Sequence, residues 1–186
     1  GEDDVERPTL PIHAIGVYDT LGELGKGQFG VVSQAVRRKD CGVREVVAIK
    51  MLKFDFDKEG FPLEALREIA LLSSLRHPNI VRMLGWATDP ELCLVQEFMR
   101  GQSLHIQLHL EAWHPTLRDQ LKVALDVANG MAYLHGEFEK PIIHRDLKTA
   151  NVLVADDFAA KVADFGESKQ FDKEKAEMVV RELGDS

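Results

Sequence analysis

His144-Arg145-Asp146-Leu147-Lys148-Thr149-Ala150-Asn151, with Asp164-Phe165-Gly166 starting thirteen positions after Asn151, is the stretch on which the reading of this chain turns. Between the two motifs lie Val152-Leu153-Val154, the pair Asp156-Asp157, and Lys161-Val162-Ala163. Short apolar runs on either side of a polar pair predict two strands and a turn, a hairpin whose two ends meet. Asp146, Asn151 and Asp164 are therefore expected in one small volume, with Lys148 at its mouth. Carboxylate and amide oxygens beside a lysine suit a hard divalent cation that carries phosphates. Mg²⁺ takes a few such oxygens and completes its shell with substrate oxygens and water. A lone Asp-Phe-Gly says little, but both motifs in this order and at this spacing are specific.

Upstream, the chain punctuates itself with glycine. Leu21-Gly22-Glu23-Leu24 leads into Gly25-Lys26-Gly27-Gln28-Phe29-Gly30, followed by Val31-Val32-Ser33-Gln34-Ala35-Val36, a turn at Asp40-Cys41-Gly42, and Val46-Val47-Ala48-Ile49-Lys50. Glycines at this spacing let backbone amides approach phosphate oxygens with no Cβ in the way. The rival meaning of GxGxxG, a dinucleotide-binding fold, needs a helix directly after the glycines and an acidic residue about 20 positions on. Here a strand follows, and the residue twenty positions after Gly30 is the cation Lys50. The dinucleotide reading is set aside.

Lys50 stands among apolar neighbours, and a buried ammonium needs a partner. The segment Pro62 to Leu75 has Leu63, Leu66, Ile69, Ala70 and Leu72 at helical spacing behind an initial proline. Within it, Glu68 lies close to the apolar stripe and is expected to face Lys50. His77 precedes Pro78 and is pushed out of helical geometry, so Arg76-His77-Pro78-Asn79 is expected to close the helix. Asp55-Phe56-Asp57 opens like a calcium loop, but the twelfth position is Leu66 where glutamate is required. That site is rejected.

Ile80–Trp86 and Leu92–Gln96 read as two further strands, and Glu97-Phe98-Met99-Arg100-Gly101 breaks the pattern. The first half is thus about five antiparallel strands with one covering helix, and the second turns helical: an α+β protein. Leu117 to His135 is a long helix apolar on more than one side, which calls for enclosure by other elements. His105, His109 and His114 lack the acidic residue of a zinc HExxH and have no cysteine near them. A solvated helical face is expected there instead of a metal site.

The whole sequence has 186 residues, 45% hydrophobic and 29% charged, values of a soluble globular protein. A net charge of −8 argues against nucleic acid as a partner. It leaves room for a small anion, which needs only one local basic group. No apolar run reaches bilayer-spanning length. Cys41 and Cys93 lie in different elements and read as reduced thiols of a cytoplasmic protein. Residues 1 to about 17, acidic at Glu2-Asp3-Asp4 and then carrying Pro8 and Pro11, read as a flexible lead-in.

Taken together, Gly25-x-Gly27-x-x-Gly30-x-Val32, Val47-Ala48-Ile49-Lys50, Glu68, HRDLKTAN and DFG resemble the protein-kinase signature set in family order, over residues 18 to about 170. Lys148 two places after Asp146 resembles the serine/threonine-directed type. The stretch LRHPNIVRMLGWATDPELCLVQEFMRGQSL is similar to the tyrosine-kinase-like branch. The resemblance implies an N-lobe over 18–96 with a five-stranded antiparallel sheet, a hinge at 97–101, and the start of a helical C-lobe over 102–186. The two lobes would face each other across a nucleotide cleft.

It also implies ATP and Mg²⁺ as cofactors and a protein serine or threonine as substrate. Gly25, Gly27 and Gly30 would cover the phosphates, and Lys50, held by Glu68, would bind the α- and β-phosphates. Asn151 and Asp164 would hold the metal. Asp146 would orient the substrate hydroxyl and take its proton, with Lys148 on the γ-phosphate. Adenine would lie among Leu24, Val32, Ala48 and Leu153, bonded to main chain at Glu97 and Met99, with Gln96 limiting access behind it. Leu72, Met83, His144 and Phe165 match a buried apolar column. No Ala-Pro-Glu follows Gly166 within the twenty remaining residues. This is expected of a piece of a longer kinase domain that by itself transfers little phosphate. A non-catalytic nucleotide-binding or scaffolding product is the alternative.

Overall fold

The computed structural model describes residues 12–13, 17–27, 30–38, 44–52, 63–87, 92–109 and 113–172. The elements run β1 (Ile12–His13), β2 (Tyr18–Gly27), β3 (Gly30–Arg38), β4 (Arg44–Leu52), α1 (Leu63–Ser74), β5 (Met83–Ala87) and β6 (Cys93–Glu97). There follow α2 (Leu104–His109), α3 (Leu117–Gly136), β7 (Ile142–Ile143), a 3₁₀ turn (Thr149–Asn151), β8 (Val152–Val154), β9 (Ala160–Val162) and β10 (Lys169–Gln170). The chain divides into two compact units. One is Gly1–Arg76 with Val81–Met99; the other is His77–Ile80 with Arg100–Ser186.

The first unit is built on a sheet ordered β1-β5-β6-β4-β3-β2. Its five expected strands pair antiparallel. The sheet has one strand more than the sequence suggests: Ile12–His13, inside the expected flexible lead-in, pairs parallel with Trp86–Ala87. Alternation along the strands divides the sheet into two faces. Ala35, Val47, Ile49, Cys93 and Val95, with Tyr18 and Ala87, form a closed apolar cluster on one face. Val32, Ala48 and Lys50 alternate with these and fall on the other. Helix α1, with Ile69 and Leu72 buried, packs against β5. An Arg38 guanidinium forked onto Asp19 at 2.5 and 2.6 Å ties the far end of β2 to β3.

In the second unit, α3 starts at a capping box. The Asp119 N–H donates to the Thr116 hydroxyl, and the Thr116 N–H donates back to Asp119 Oδ2 at 2.9 Å. Val123, Gly130 and Leu134 are its buried residues. Apolar on more than one side, α3 is left uncovered on one of them among the described residues: Leu117, Leu121 and Leu125, successive at i, i+4 and i+8, are 71%, 61% and 61% exposed. The β8–β9 hairpin covers the opposite side, where Val123 joins Val152 and Ala160 in a small core. No helix among the described residues is long and apolar enough to cross a membrane.

Residues 77–80 belong to this second unit, an assignment their position between α1 and β5 hides. The Val162 N–H donates to the Asn79 carbonyl at 2.9 Å, and Asn79 Nδ2 donates to the Ala160 carbonyl at 3.0 Å. The His77 ring stacks on Tyr133 of α3 with centroids 4.8 Å apart. Residues 55–66, which open like a calcium loop, fall mostly outside the described residues.

Candidate active site

The site starts with β7, which pairs antiparallel with β10 and delivers the chain to His144. The His144 ring is 1% exposed. Its Nδ1 lies 3.3 Å from the Asp146 N–H, which donates to it, so the proton of the neutral ring is on Nε2. That Nε2–H donates to the Ala163 carbonyl at 2.9 Å. The Phe165 ring lies against the imidazole, centroids 5.0 Å apart. One buried imidazole thus ties the Asp146 loop to the segment that carries Asp164.

From Lys148 the chain closes a 3₁₀ turn, with the Asn151 N–H donating to the Lys148 carbonyl at 2.9 Å. This turn brings two side chains onto one carboxylate. Lys148 Nζ lies 2.6 Å from Asp146 Oδ2, and Asn151 Nδ2 donates to the same oxygen at 2.9 Å. Asn151 Nδ2 also donates to the Asp146 main-chain carbonyl at 2.9 Å. Both side-chain donors converge on Oδ2, and neither uses Oδ1. Asn151 is 6% exposed. With its amide nitrogen committed to Asp146, its side-chain carbonyl oxygen is the atom it can offer to a cation.

The bonded Lys148 ammonium holds the Asp146 carboxyl below the ordinary carboxylate value; partial burial opposes this and the Asn151 amide assists. Lys148 is raised in turn, first by its bond to Asp146, and the Asp164 charge contributes as well. The two carboxylates therefore act on one lysine.

Asp164 reaches this cluster through the hairpin. Val152 pairs with Val162, so Asn151 and Ala163 face each other one step beyond, and the Ala163 N–H donates to the Asn151 carbonyl at 2.9 Å. Ala163 is bonded on both sides, to Asn151 and to His144. Asp164 follows with φ 60°, a left-handed conformation that costs a non-glycine residue energy and is held by its surroundings. Arg145 has φ 66° and donates from Nε to the Glu167 carbonyl, with its guanidinium 3.6 Å from the Glu167 carboxylate. Sequence reading missed that link, because nothing in the sequence pairs residues 22 apart.

The structure thus gathers Asp146, Lys148, Asn151 and Asp164 as the hairpin argument expects. The remaining expected residues, Leu153 of β8 excepted, belong to the first unit. Gly25, Val32, Lys50 and Leu94 occupy successive partner positions across β2, β3, β4 and β6. Ala48 lies two positions from Lys50 and pairs with Gln96. Lys50 is buried, 6% exposed, as its apolar neighbours imply. Glu68 lies in α1, but its side chain is outside the described residues, so the expected Lys50–Glu68 pair is not described.

Of the three glycines in the loop, Gly30 has a structural demand of its own: φ is +149°, and a Cβ there would come within 1.8 Å of the Met51 carbonyl oxygen. A Cβ at Gly25 would meet open space. Leu24 is 38% exposed and Leu153 half-buried. Leu72 and Met83 in the first unit, and His144 and Phe165 in the second, are all buried. The His105 and His109 rings lie against each other at a tilt of 45°, centroids 4.5 Å apart. Among the described residues no group of three or more His, Cys, Asp or Glu could hold a metal. Asn151 and Asp164 carry oxygens of the kind taken by a cation that draws the rest of its shell from phosphates and water.

Against known proteins, residues 19–184 match the family model described as protein tyrosine and serine/threonine kinase. A probable serine/threonine-protein kinase of Dictyostelium discoideum is 37% identical over 87% of the chain. From Arabidopsis thaliana, the serine/threonine-protein kinase-like protein CCR2 is 37% identical over 89% of the chain, and the serine/threonine-protein kinase CTR1 is 42% identical over 79%. The matched region spans 17%, 21% and 18% of these three relatives' own lengths. Five signature motifs in family order, a sheet with its lysine buried and a loop with two donors on one aspartate all meet that match: the chain belongs to the protein tyrosine and serine/threonine kinase family.

Proposed function

We propose that the kinase domain to which this chain belongs transfers the γ-phosphoryl group of ATP to serine and threonine hydroxyls of proteins, and that it lies in the tyrosine-kinase-like branch. The observation that carries this reading is the convergence of Lys148 and Asn151 on Asp146 Oδ2. It leaves Oδ1 to accept the proton of the incoming hydroxyl as its oxygen bonds to phosphorus and the bond to the leaving diphosphate breaks. Lys148, two residues on and 2.6 Å from Asp146 Oδ2, would share its ammonium between Asp146 and the transferring group. The names of the relatives, serine/threonine kinases, support the choice of hydroxyl.

Asn151 Oδ1 and the Asp164 carboxylate would hold Mg²⁺, which neutralises charge on the phosphates. Lys50, held by Glu68, would bind the α- and β-phosphates beneath Gly25, Gly27 and Gly30. Leu24, Val32, Ala48 and Leu153 would sandwich adenine, with hydrogen bonds to main chain at Glu97 and Met99. Little covalent chemistry is asked of the protein: positioning and charge supply the rate. Cys93 is buried, and a reduced thiol there accords with a cytoplasmic setting.

The test is transfer of labelled phosphate from Mg·ATP to a generic protein substrate. Asp146→Asn is expected to lower the rate by about a hundred- to ten-thousand-fold, the worth of a general base, with Mg·ATP binding retained. Unchanged transfer by that variant would overturn the assignment.

The exposed leucines of α3 favour a second reading for these 186 residues taken alone, a nucleotide binder that transfers little. A rise in melting temperature with Mg·ATP, without measurable transfer, supports it; robust transfer by the same chain refutes it.

A further inference from the structure

β5 and β6 part company in an unusual way at Arg82 and Glu97. Met83 pairs with Gln96, so Arg82 and Glu97 are the next opposed positions of the antiparallel ladder. In a regular hydrogen-bonded pair, the two residues exchange both main-chain bonds. Here one is made that way: the Glu97 N–H donates to the Arg82 carbonyl at 3.0 Å. The return bond goes elsewhere. The Arg82 N–H donates to the Glu97 side-chain carboxylate, Oε1, at 2.8 Å.

We propose that the Glu97 carboxylate is a positioning and specificity-determining group for the nucleobase. It stands in for Glu97's own main-chain carbonyl at Arg82, so that Arg82 makes no claim on the peptide assigned to adenine. The inference rests on the adenine-binding reading given above. Glu97 is the last residue of β6, and Phe98 and Met99 beyond it have no strand pairing. The direction of the Glu97–Phe98 peptide is thus set where the ladder ends. With the carboxylate removed, the Arg82 N–H needs another acceptor, and the ordinary ladder partner is the Glu97 carbonyl. That exchange would draw the carbonyl toward β5 and away from a purine amino group. An apolar side chain at 97 would therefore cost base recognition while leaving phosphate recognition intact.

The experiment measures binding of Mg·ATP, Mg·GTP and Mg·tripolyphosphate to the full chain by calorimetry, for the wild type, Glu97→Ala and Glu97→Gln, with melting curves for each. In E97A, ATP is expected to bind about three- to tenfold more weakly, the worth of one modest hydrogen bond. The preference for ATP over GTP should shrink and tripolyphosphate binding should stay unchanged. E97Q keeps an accepting oxygen and is expected to restore ATP affinity and the ATP preference. Equal ATP affinity in E97A and wild type overturns the inference, as does a parallel loss of ATP and tripolyphosphate. A wild type that binds ATP no better than tripolyphosphate overturns the adenine-binding reading itself, and the inference with it.

Discussion

Lys148 Nζ and Asp146 Oδ2 are 2.6 Å apart, and this contact sets the charge of both groups. Asp146 is depressed below its ordinary value of 3.8, mainly by the bond from Lys148, and Lys148 is raised above 10.5, mainly by the bond to Asp146. A depressed carboxyl contributes stability that is present above its unfolded value and lost as pH falls through the folded one. A raised ammonium contributes stability that is present below its unfolded value and lost as pH rises through the folded one. The pair is therefore intact from the ordinary carboxylate range up to the ordinary lysine range. Asp146 is ionised throughout. Lys148→Met should move the Asp146 titration upward toward its ordinary value, as read by ¹³C NMR of the carboxyl group. In an active form, the acid limb of the pH–rate profile should move the same way. A carboxyl titration unmoved by K148M would sever the link.

Gly25 and Gly30 belong to one loop but should answer differently to alanine. At Gly30 a Cβ would sit 1.8 Å from the Met51 carbonyl oxygen on a backbone with φ +149°. Gly30→Ala is expected to cost at least about 2 kcal/mol, overpacking and backbone strain together. At Gly25 there is nothing within 4 Å of the added methyl. Gly25→Ala should leave thermal stability within about 0.5 kcal/mol and weaken Mg·ATP binding, because the methyl stands where phosphate oxygens are proposed to approach. A G25A protein that melts early, or binds ATP as the wild type does, contradicts this division.

The strands were legible because alternation has a fixed consequence: once Val47 and Ile49 are inside, Ala48 and Lys50 must face the other way. The candidate cluster was legible for a similar reason, since a short hairpin between Val152 and Val162 forces Asn151 and Ala163 together. Local rules failed where long-range pairing decides. Ile12–His13 is too short to announce a strand and exists as one because Trp86–Ala87 offers an edge. His77-Pro78-Asn79 reads as a helix stop, yet the Asn79 carbonyl accepts the Val162 N–H in an isolated bridge of Ile80 with Val162. The apolar circumference of α3 gave the correct composition but could not say which side is covered.

Asn151 carries two separable duties. Its Nδ2 holds Asp146 through both the side-chain and main-chain oxygens at 2.9 Å, and its Oδ1 is the proposed cation ligand. Asn151→Ala should remove both, raising the Mg²⁺ concentration needed for ATP binding and lowering stability by about 1–3 kcal/mol, the cost of stripping a buried hydrogen-bonding group. Titration of ATP affinity against free Mg²⁺ separates the two effects. An unaltered Mg²⁺ requirement would assign Asn151 to structure alone.

Asn79 offers a test of the second unit at a distance from its charged cluster. Its side-chain amide, in a residue 8% exposed, donates to the Ala160 carbonyl at 3.0 Å, while its own N–H donates to His77 Nδ1 at 3.1 Å. The β9 strand is thereby bonded from residues that precede it by 81 positions. Asn79→Ala leaves the Ala160 carbonyl without this donor in a buried place, and a loss of about 1–3 kcal/mol is expected. The weakening should be local: hydrogen exchange should quicken across Val152–Val162 more than in the sheet of the first unit, because amides are protected by the elements that open with them. Leu153 lies in this hairpin and Asp164 follows it two residues on, so nucleotide affinity should fall along with its protection. A variant with wild-type melting and unchanged exchange in β8 and β9 would show that the hairpin stands without Asn79.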